Sequence, residues 1–248
     1  MLEVQGLSAK YQNILGLEEV SFNIDSGELV GLIGPNGAGK STMFKALLGL
    51  IPTRGQVSYC QCPLHQQLDK VAYIPQRSQI DWDYPTTVGN VVMMSRTRHL
   101  GWFRYPTAHD RKIVQEAMEQ VEIEDLKNRR IGELSGGQQQ RVFLARALAQ
   151  EAEIFLLDEP LTGVDGKTET IILDIFNQLK KSGKILLIAS HDWDENIDQF
   201  DRLLLLNHHL IADGKPQQVI NQENIKQAYG SLFSLAAHHQ KKGNDLIC

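Results

Sequence analysis

One short stretch constrains this chain more than any other: Gly34-Pro35-Asn36-Gly37-Ala38-Gly39-Lys40-Ser41-Thr42. It fits the pattern G-x-x-x-x-G-K-[ST] of a phosphate-binding loop, and its flanks agree. Leu29, Val30, Leu32 and Ile33 before it read as a buried strand. Met43, Phe44, Ala46, Leu47 and Leu48 after it recur at helical spacing, and Gly49 is placed to end that helix. Between a strand and a helix, the loop's N–H groups and the positive helix end face inward and can surround a polyphosphate. The glycines let the backbone approach the oxygens with no Cβ in the way. Lys40 is expected to reach the β- and γ-phosphates, and the Ser41 hydroxyl to ligate Mg²⁺.

Composition narrows the classes around that loop. At 248 residues, 42% apolar and 22% charged, the chain is an ordinary globular protein of one large domain or two small ones. A net charge of −5 argues against an electrostatic grip on nucleic acid. No dense basic cluster points to anionic lipid. There is no long uncharged apolar run, and Met1-Leu2-Glu3-Val4 has neither the charge nor the apolar block of a signal peptide. Three cysteines, Cys60, Cys62 and Cys248, make no disulfide framework. The expectation is a soluble cytosolic protein.

Along the chain, residues 2–9 and 18–24 read as short strands, with Tyr11 in the loop between them. Its ring is either a surface aromatic or a platform for a nucleotide base. Strands are expected at Gly55–Tyr59 and Val71–Ile74, the second followed by Pro75-Gln76. Cys60, Cys62 and His65 are too few for a closed metal array and read as turn residues. From about Thr87 to Arg130 the pattern is helical, with Ile113, Val114, Ala117, Met118 and Val121 on one apolar face. Trp82, Tyr84, Trp102, Phe103 and Tyr105 surround that insert, as half-buried surface aromatics or as a docking face for another protein.

Two later apolar strands end in polar groups: Ile154–Leu157 at Asp158-Glu159-Pro160, and Lys184–Ala189 at Ser190-His191-Asp192. Helices are expected at 167–181 and near 193–199, then strands at 202–206 and 209–212. Alternating strands and helices imply a largely parallel sheet, with ligand at the strands' carboxyl ends. His208-His209 reads as a solvated turn, since adjacent strand residues face opposite ways. Residues after about 230 form a polar tail with His238-His239 and Lys241-Lys242.

Asp158 and Glu159 fit a nucleoside triphosphatase, one carboxylate holding Mg²⁺ and the other polarising the attacking water. Read with the phosphate loop, they form a Walker B motif and its general base. Leu134-Ser135-Gly136-Gly137-Gln138 precedes a strong helical pattern, Arg141–Leu148. Ser135 suits an N-cap, and the glycines leave the helix's N–H groups open. That is a second anion site on a chain whose first already holds a triphosphate. The economical answer is that it closes over nucleotide held by another copy.

Gly34–Thr42, Gln76, Leu134–Gln138, Asp158-Glu159 and His191 stand in an order that resembles the ATP-binding subunits of ABC transporters, over about residues 1–230. The resemblance implies an α/β P-loop fold: a RecA-like parallel-sheet core, an antiparallel β subdomain and a helical signature subdomain at about 86–150. Residues 231–248 stand outside it as the tail. It implies ATP and Mg²⁺ as cofactors and a head-to-tail homodimer sandwiching two ATP molecules. It places Tyr11 against adenine, Gln76 near Mg²⁺ and the membrane subunit, and His191 on the γ-phosphate. Leu161-Thr162-Gly163-Val164-Asp165 resembles the family's D-loop.

Tyr73-Ile74-Pro75-Gln76-Arg77-Ser78 with Asp81-Trp82-Asp83-Tyr84-Pro85 resembles manganese and zinc uptake ATPases, although siderophore and cobalamin importers share much of it. The implied partners are an integral membrane permease and an extracytoplasmic substrate-binding protein, with no nucleic acid. The implied place is the cytoplasmic face of the membrane. An iron–sulfur cluster assembly ATPase is a further alternative, and Glu159 and His191 argue against a nucleotide-gated binding module that does not hydrolyse ATP. DNA-repair relatives commonly carry a long coiled coil between phosphate loop and signature, and Lys40 to Ser135 holds no sustained heptads.

Overall fold

The computed structural model describes residues 1–11, 14–97, 105–190 and 197–230. In chain order its first elements are Leu2–Tyr11 (β1), Ile14–Ile24 (β2), Leu29–Ile33 (β3), Lys40–Leu47 (α1), Thr53–Tyr59 (β4), Cys62–Pro63 (β5) and Val71–Ile74 (β6). Helices Val88–Met93 (α2), Ala108–Gln120 (α3) and Gly136–Ala149 (α4) follow. The rest are Ile154–Asp158 (β7), Gly166–Lys181 (α5), Ile185–Ser190 (β8), Arg202–Asn207 (β9), His209–Gly214 (β10), Pro216–Val219 (α6) and Gln222–Tyr229 (α7). They divide into two compact units, one of Met1–Asp25, Leu29–Gln66 and Ala189 onward, the other of Ser26–Glu28 and Gln67–Ile188.

In the first unit an antiparallel sheet runs in the order β2-β1-β4-β5. The first two strands are longer than expected, and Tyr11 lies in β1, paired with Ile14, not in a loop. The sequence hid this because the alternation slips. Leu2 and Val4 are buried on one phase, Leu7 and Ala9 on the other, and the β1–β2 register shifts between Val4 and Leu7. The slip is a bulge at Gly6, whose N–H is taken by the Ser21 hydroxyl at 2.8 Å, while the Glu19 N–H is taken by Ser8 at 2.9 Å. The same unit holds β3 parallel to β9, with Leu32 opposite Leu204, and β10 antiparallel on β9. Both β3 and the centre of β9 are apolar throughout because they are covered on both faces. Ile33, Leu203 and Leu205 close against Val219 and Ala228 from the two last helices.

In the second unit β6 is parallel to β7, and β8 lies on the other side of β7. Among the described residues the helical stretch from Thr87 holds two helices, α2 and α3, with short 3₁₀ turns. Val114, Ala117, Met118 and Val121 are buried as the spacing requires. Arg96, 4% exposed, ties these helices to the end of α4. Its guanidinium meets Asp110 at 3.1 Å, the Ala149 carbonyl at 2.9 Å and Glu151 at 2.6 Å. Asp110 also closes a reciprocal cap with Thr107 at the start of α3. Of the helix expected near 193–199, Ile197–Gln199 is a single 3₁₀ turn; residues 191–196 lie outside the described residues, as do Trp102, Phe103 and the tail.

Candidate functional site

In the first unit the expected site residues lie in the loop between β3 and α1. Gly39 caps the helix at φ 101°, in the left-handed region. A Cβ there would run into the Gly16 carbonyl oxygen, and one on Gly34 into the Leu206 carbonyl oxygen. Glycine is required at both positions by close backbone approach as well as by conformation. The Met43 N–H bonds the Gly39 carbonyl at 2.7 Å, opening the helix, and the Ala38 N–H turns back to Pro35 at 3.1 Å. Asn36 and Gly37 are exposed at the crest, while Gly34, Ala38, Gly39 and Lys40 are buried. Lys40 folds over its own loop, its ammonium donating to the Gly34 carbonyl at 2.7 Å and the Pro35 carbonyl at 3.1 Å. Ser41 and Thr42 are half-buried in the first turn. Tyr11 ends the neighbouring β1, and its side chain lies outside the described residues.

In the second unit the expected site residues collect at the ends of β6 and β7. Asp158 closes β7, 2% exposed. Glu159 follows at φ 55°, in the left-handed region, and is half-buried. The Gln76 side-chain amide donates to the Glu159 carboxylate at 2.7 Å. Tyr73 stands close by: burial first, then the Asp158 charge, pushes its phenol up to about 12, so it stays neutral. His191, the remaining expected member, lies outside the described residues.

In the same unit Leu134–Gln138 forms the start of α4. The Ser135 hydroxyl accepts the Gln138 N–H at 3.3 Å, and the Gln138 side chain accepts the Ser135 N–H at 2.9 Å. This capping box satisfies the cap and the third N–H. The Gly136 and Gly137 N–H groups lie ahead of the first helical bond, Gln139 to Ser135 at 2.9 Å. A Cβ on Gly137 would stand 2.7 Å from the Thr168 hydroxyl and 2.8 Å from the Asp165 carboxylate. Asp165 caps α5 through Thr168, and those bonds hold its carboxyl below the usual range. The stretch after Glu159 and the start of α4 are therefore in contact.

Sequence reasoning missed Arg77. Its guanidinium donates to the Gln139 amide oxygen at 2.9 and 3.3 Å and lies 5.8 Å from the Trp82 ring centre. A Cβ on Gly136 would stand 2.8 Å from it. The only signal available was its place directly after Gln76. Trp82 is half-buried: its ring meets Phe143 of α4 edge-on at 5.4 Å, and its N–H bonds the Arg77 carbonyl at 3.0 Å. Among the described residues Tyr84 and Tyr105, at 57% and 91% exposure, are the large aromatics open to solvent. Cys60 and Cys62 are exposed, and no cluster of three or more metal-ligand side chains occurs among the described residues. No helix among them is long and apolar enough to cross a membrane.

Residues 17–162 match the family model described as ABC transporter. The chain is 44% identical to the manganese transport system ATP-binding protein MntB of Listeria monocytogenes, over 92% of this chain and 96% of that one. It is also 44% identical to the zinc transport system ATP-binding protein TroB of Treponema pallidum, over 94% and 88%. Its fold matches a dimeric ATP-binding cassette in a post-hydrolysis state, bound to ADP and phosphate, with TM-score 0.75 and 27% identity, covering 87% of this chain and 99% of that one.

Proposed function

This chain belongs to the ABC transporter ATP-binding family, and from that premise we propose that it hydrolyses ATP to drive a membrane permease importing manganese. The observation that carries the catalytic reading is the Glu159 carboxylate, on a left-handed backbone directly after buried Asp158 and held by the Gln76 amide at 2.7 Å. A carboxylate so held is positioned to accept a proton from a water attacking the γ-phosphorus. As the new P–O bond forms, the bond from phosphorus to the β-bridging oxygen breaks, releasing ADP and phosphate.

Gly34–Thr42 wraps the triphosphate with backbone N–H groups. Lys40 exchanges its two carbonyl partners for charged phosphate oxygens, a stronger pairing for an ammonium. Tyr11 meets the base and His191 the γ-phosphate. The Ser41 hydroxyl, the Asp158 carboxylate and the Gln76 amide oxygen are hard oxygen donors that suit Mg²⁺, which keeps several of its waters. That ion, when bound, would supply positive charge to offset the phosphates. The capped Ser135-Gly136-Gly137-Gln138 segment covers the nucleotide of a second copy, as the dimeric relative's likeness supports.

Manganese follows from the relatives' names and from the Gln76–Tyr84 segment, and zinc is the second reading because TroB is as similar as MntB. The chain acts at the cytoplasmic face with its permease and an extracytoplasmic binding protein. Removing the gene and measuring cell metal tests this. A fall in manganese is expected, and a fall in zinc alone moves the cargo to zinc. Normal metals with failed siderophore or cobalamin uptake, or failed iron–sulfur assembly, overturn the cargo.

A further inference from the structure

At the expected turn His208-His209, His209 is exposed, but His208 is half-buried. His208 joins β9 to β10 at φ 58°, a left-handed conformation that glycine or asparagine takes more easily. Its backbone N–H, its carbonyl and its ring Nδ1 each meet the phosphate loop or β2. Its N–H donates to the Ala38 carbonyl inside the loop at 2.8 Å. Its carbonyl accepts the Glu18 N–H of β2 at 2.8 Å. Its ring Nδ1 stands 3.4 Å from the Gly16 carbonyl oxygen.

Gly16 is the residue against which the loop closes. Its carbonyl limits position 39 to glycine, and a Cβ on Gly16 itself would stand 2.7 Å from the Thr42 methyl. Moving Gly16 therefore moves the room left for the helix start, where the phosphate-facing N–H groups begin. A glycine at 208 would supply both backbone bonds and relieve the left-handed strain. The ring contact to Gly16 is what it would lose.

We propose that His208 is a positioning residue for the phosphate loop, its imidazole holding Gly16 against the Gly39–Thr42 turn so that the loop is preformed for nucleotide. The inference rests on the ATP-binding reading of that loop. It concerns affinity and not the chemical step, because the contacts of His208 are with Ala38 of the loop and with Gly16 and Glu18 of β2.

The test is ATP binding and turnover of the purified full chain with His208→Gly and His208→Asn, using Mg-ATP. His208→Gly is expected to weaken ATP binding by about 2- to 12-fold, the worth of one net hydrogen bond. Its KM should rise with kcat little changed, the signature of lost ground-state positioning. Its nucleotide-free melting midpoint should not fall. His208→Asn tolerates the left-handed backbone and carries a side-chain N–H, so it should recover affinity. ATP affinity in His208→Gly equal to the unaltered chain overturns the inference. So does an equal loss in both variants accompanied by lower melting, which assigns His208 to fold maintenance. If the unaltered chain fails to bind ATP, the proposed function fails and the inference falls with it.

Discussion

Gln76 and Glu159, 83 positions apart, meet through an amide N–H that donates to the carboxylate at 2.7 Å. One partner leaves a strand end and the other follows the neighbouring parallel strand, so the bond measures how β6 and β7 align. Glu159→Gln keeps the shape and removes the basic oxygen. ATP should still bind, while hydrolysis falls about 10²–10⁴-fold and an ATP-bound dimer accumulates on sizing. Hydrolysis at the normal rate would remove Glu159 from the role of base.

Lys40→Ala should lose most ATP affinity, because the polyphosphate loses its mobile cation. Without nucleotide, its ammonium bonds the Gly34 and Pro35 carbonyls of its own loop, so any change in melting of the empty protein reports that loop contact and not ATP binding. Calorimetric titration and a melting curve, each with and without ATP, separate the two effects. Unchanged affinity would detach Lys40 from the phosphates.

A composite site predicts complementation. Ser135→Arg sets a cation at the α4 N-terminus and should abolish hydrolysis while leaving nucleotide on its own chain's loop. It also removes the capping box, costing about 0.5–2 kcal/mol, so Ser135→Ala is the control for the cap alone. Mixed with Lys40→Ala, one site of each heterodimer carries both defects and the other neither. ATPase activity should therefore return. No recovery, with Ser135→Arg alone active as a monomer, would rule the sandwich out.

Trp82 and Tyr84 should part company. Trp82→Ala removes the edge contact with Phe143 and the bond to the Arg77 carbonyl, so it should destabilise the isolated protein by about 1–3 kcal/mol. Tyr84 is 57% exposed, and its carbonyl bond to the Thr86 N–H survives truncation. Tyr84→Ala should leave stability and ATP binding alone and weaken permease capture in a pull-down. Equal stability losses would place both rings in the fold.

Asp110 gives the pH dependence its sign. The Thr107 hydroxyl first, then its backbone N–H, then the Arg96 guanidinium, hold the carboxyl down to about 2. The folded state favours the charged form, so this stabilisation is complete above the unfolded pKa of ~4 and is lost as pH falls through about 2. Asp110→Asn should melt lower than the unaltered chain at neutral pH, and the gap should close toward pH ~2. A gap constant across that range would show that Asp110 acts through shape alone.

The sequence by itself determined whatever depends on a few consecutive residues. The strand–loop–helix around Lys40 was legible because motif and both flanks sit within one short segment. So was the start of α4, because Ser135 and Gln138 cap one another three positions apart. The apolar runs of β7 and β8 announced burial on both faces. The tertiary structure alone decided what meets what. Periodicity reports that a face is covered, not by which partner. The bond from Gln76 to Glu159, the Arg77 guanidinium against Gly136, and His208 between Ala38 and Gly16 all join segments that chain order leaves far apart. Even within β1, the bulge at Gly6 was hidden, because the extra residue is specified by its pairing with β2 and by hydroxyls across the ladder. Local pattern sets the elements; close approach between backbones, which only the packed chain has, sets the site.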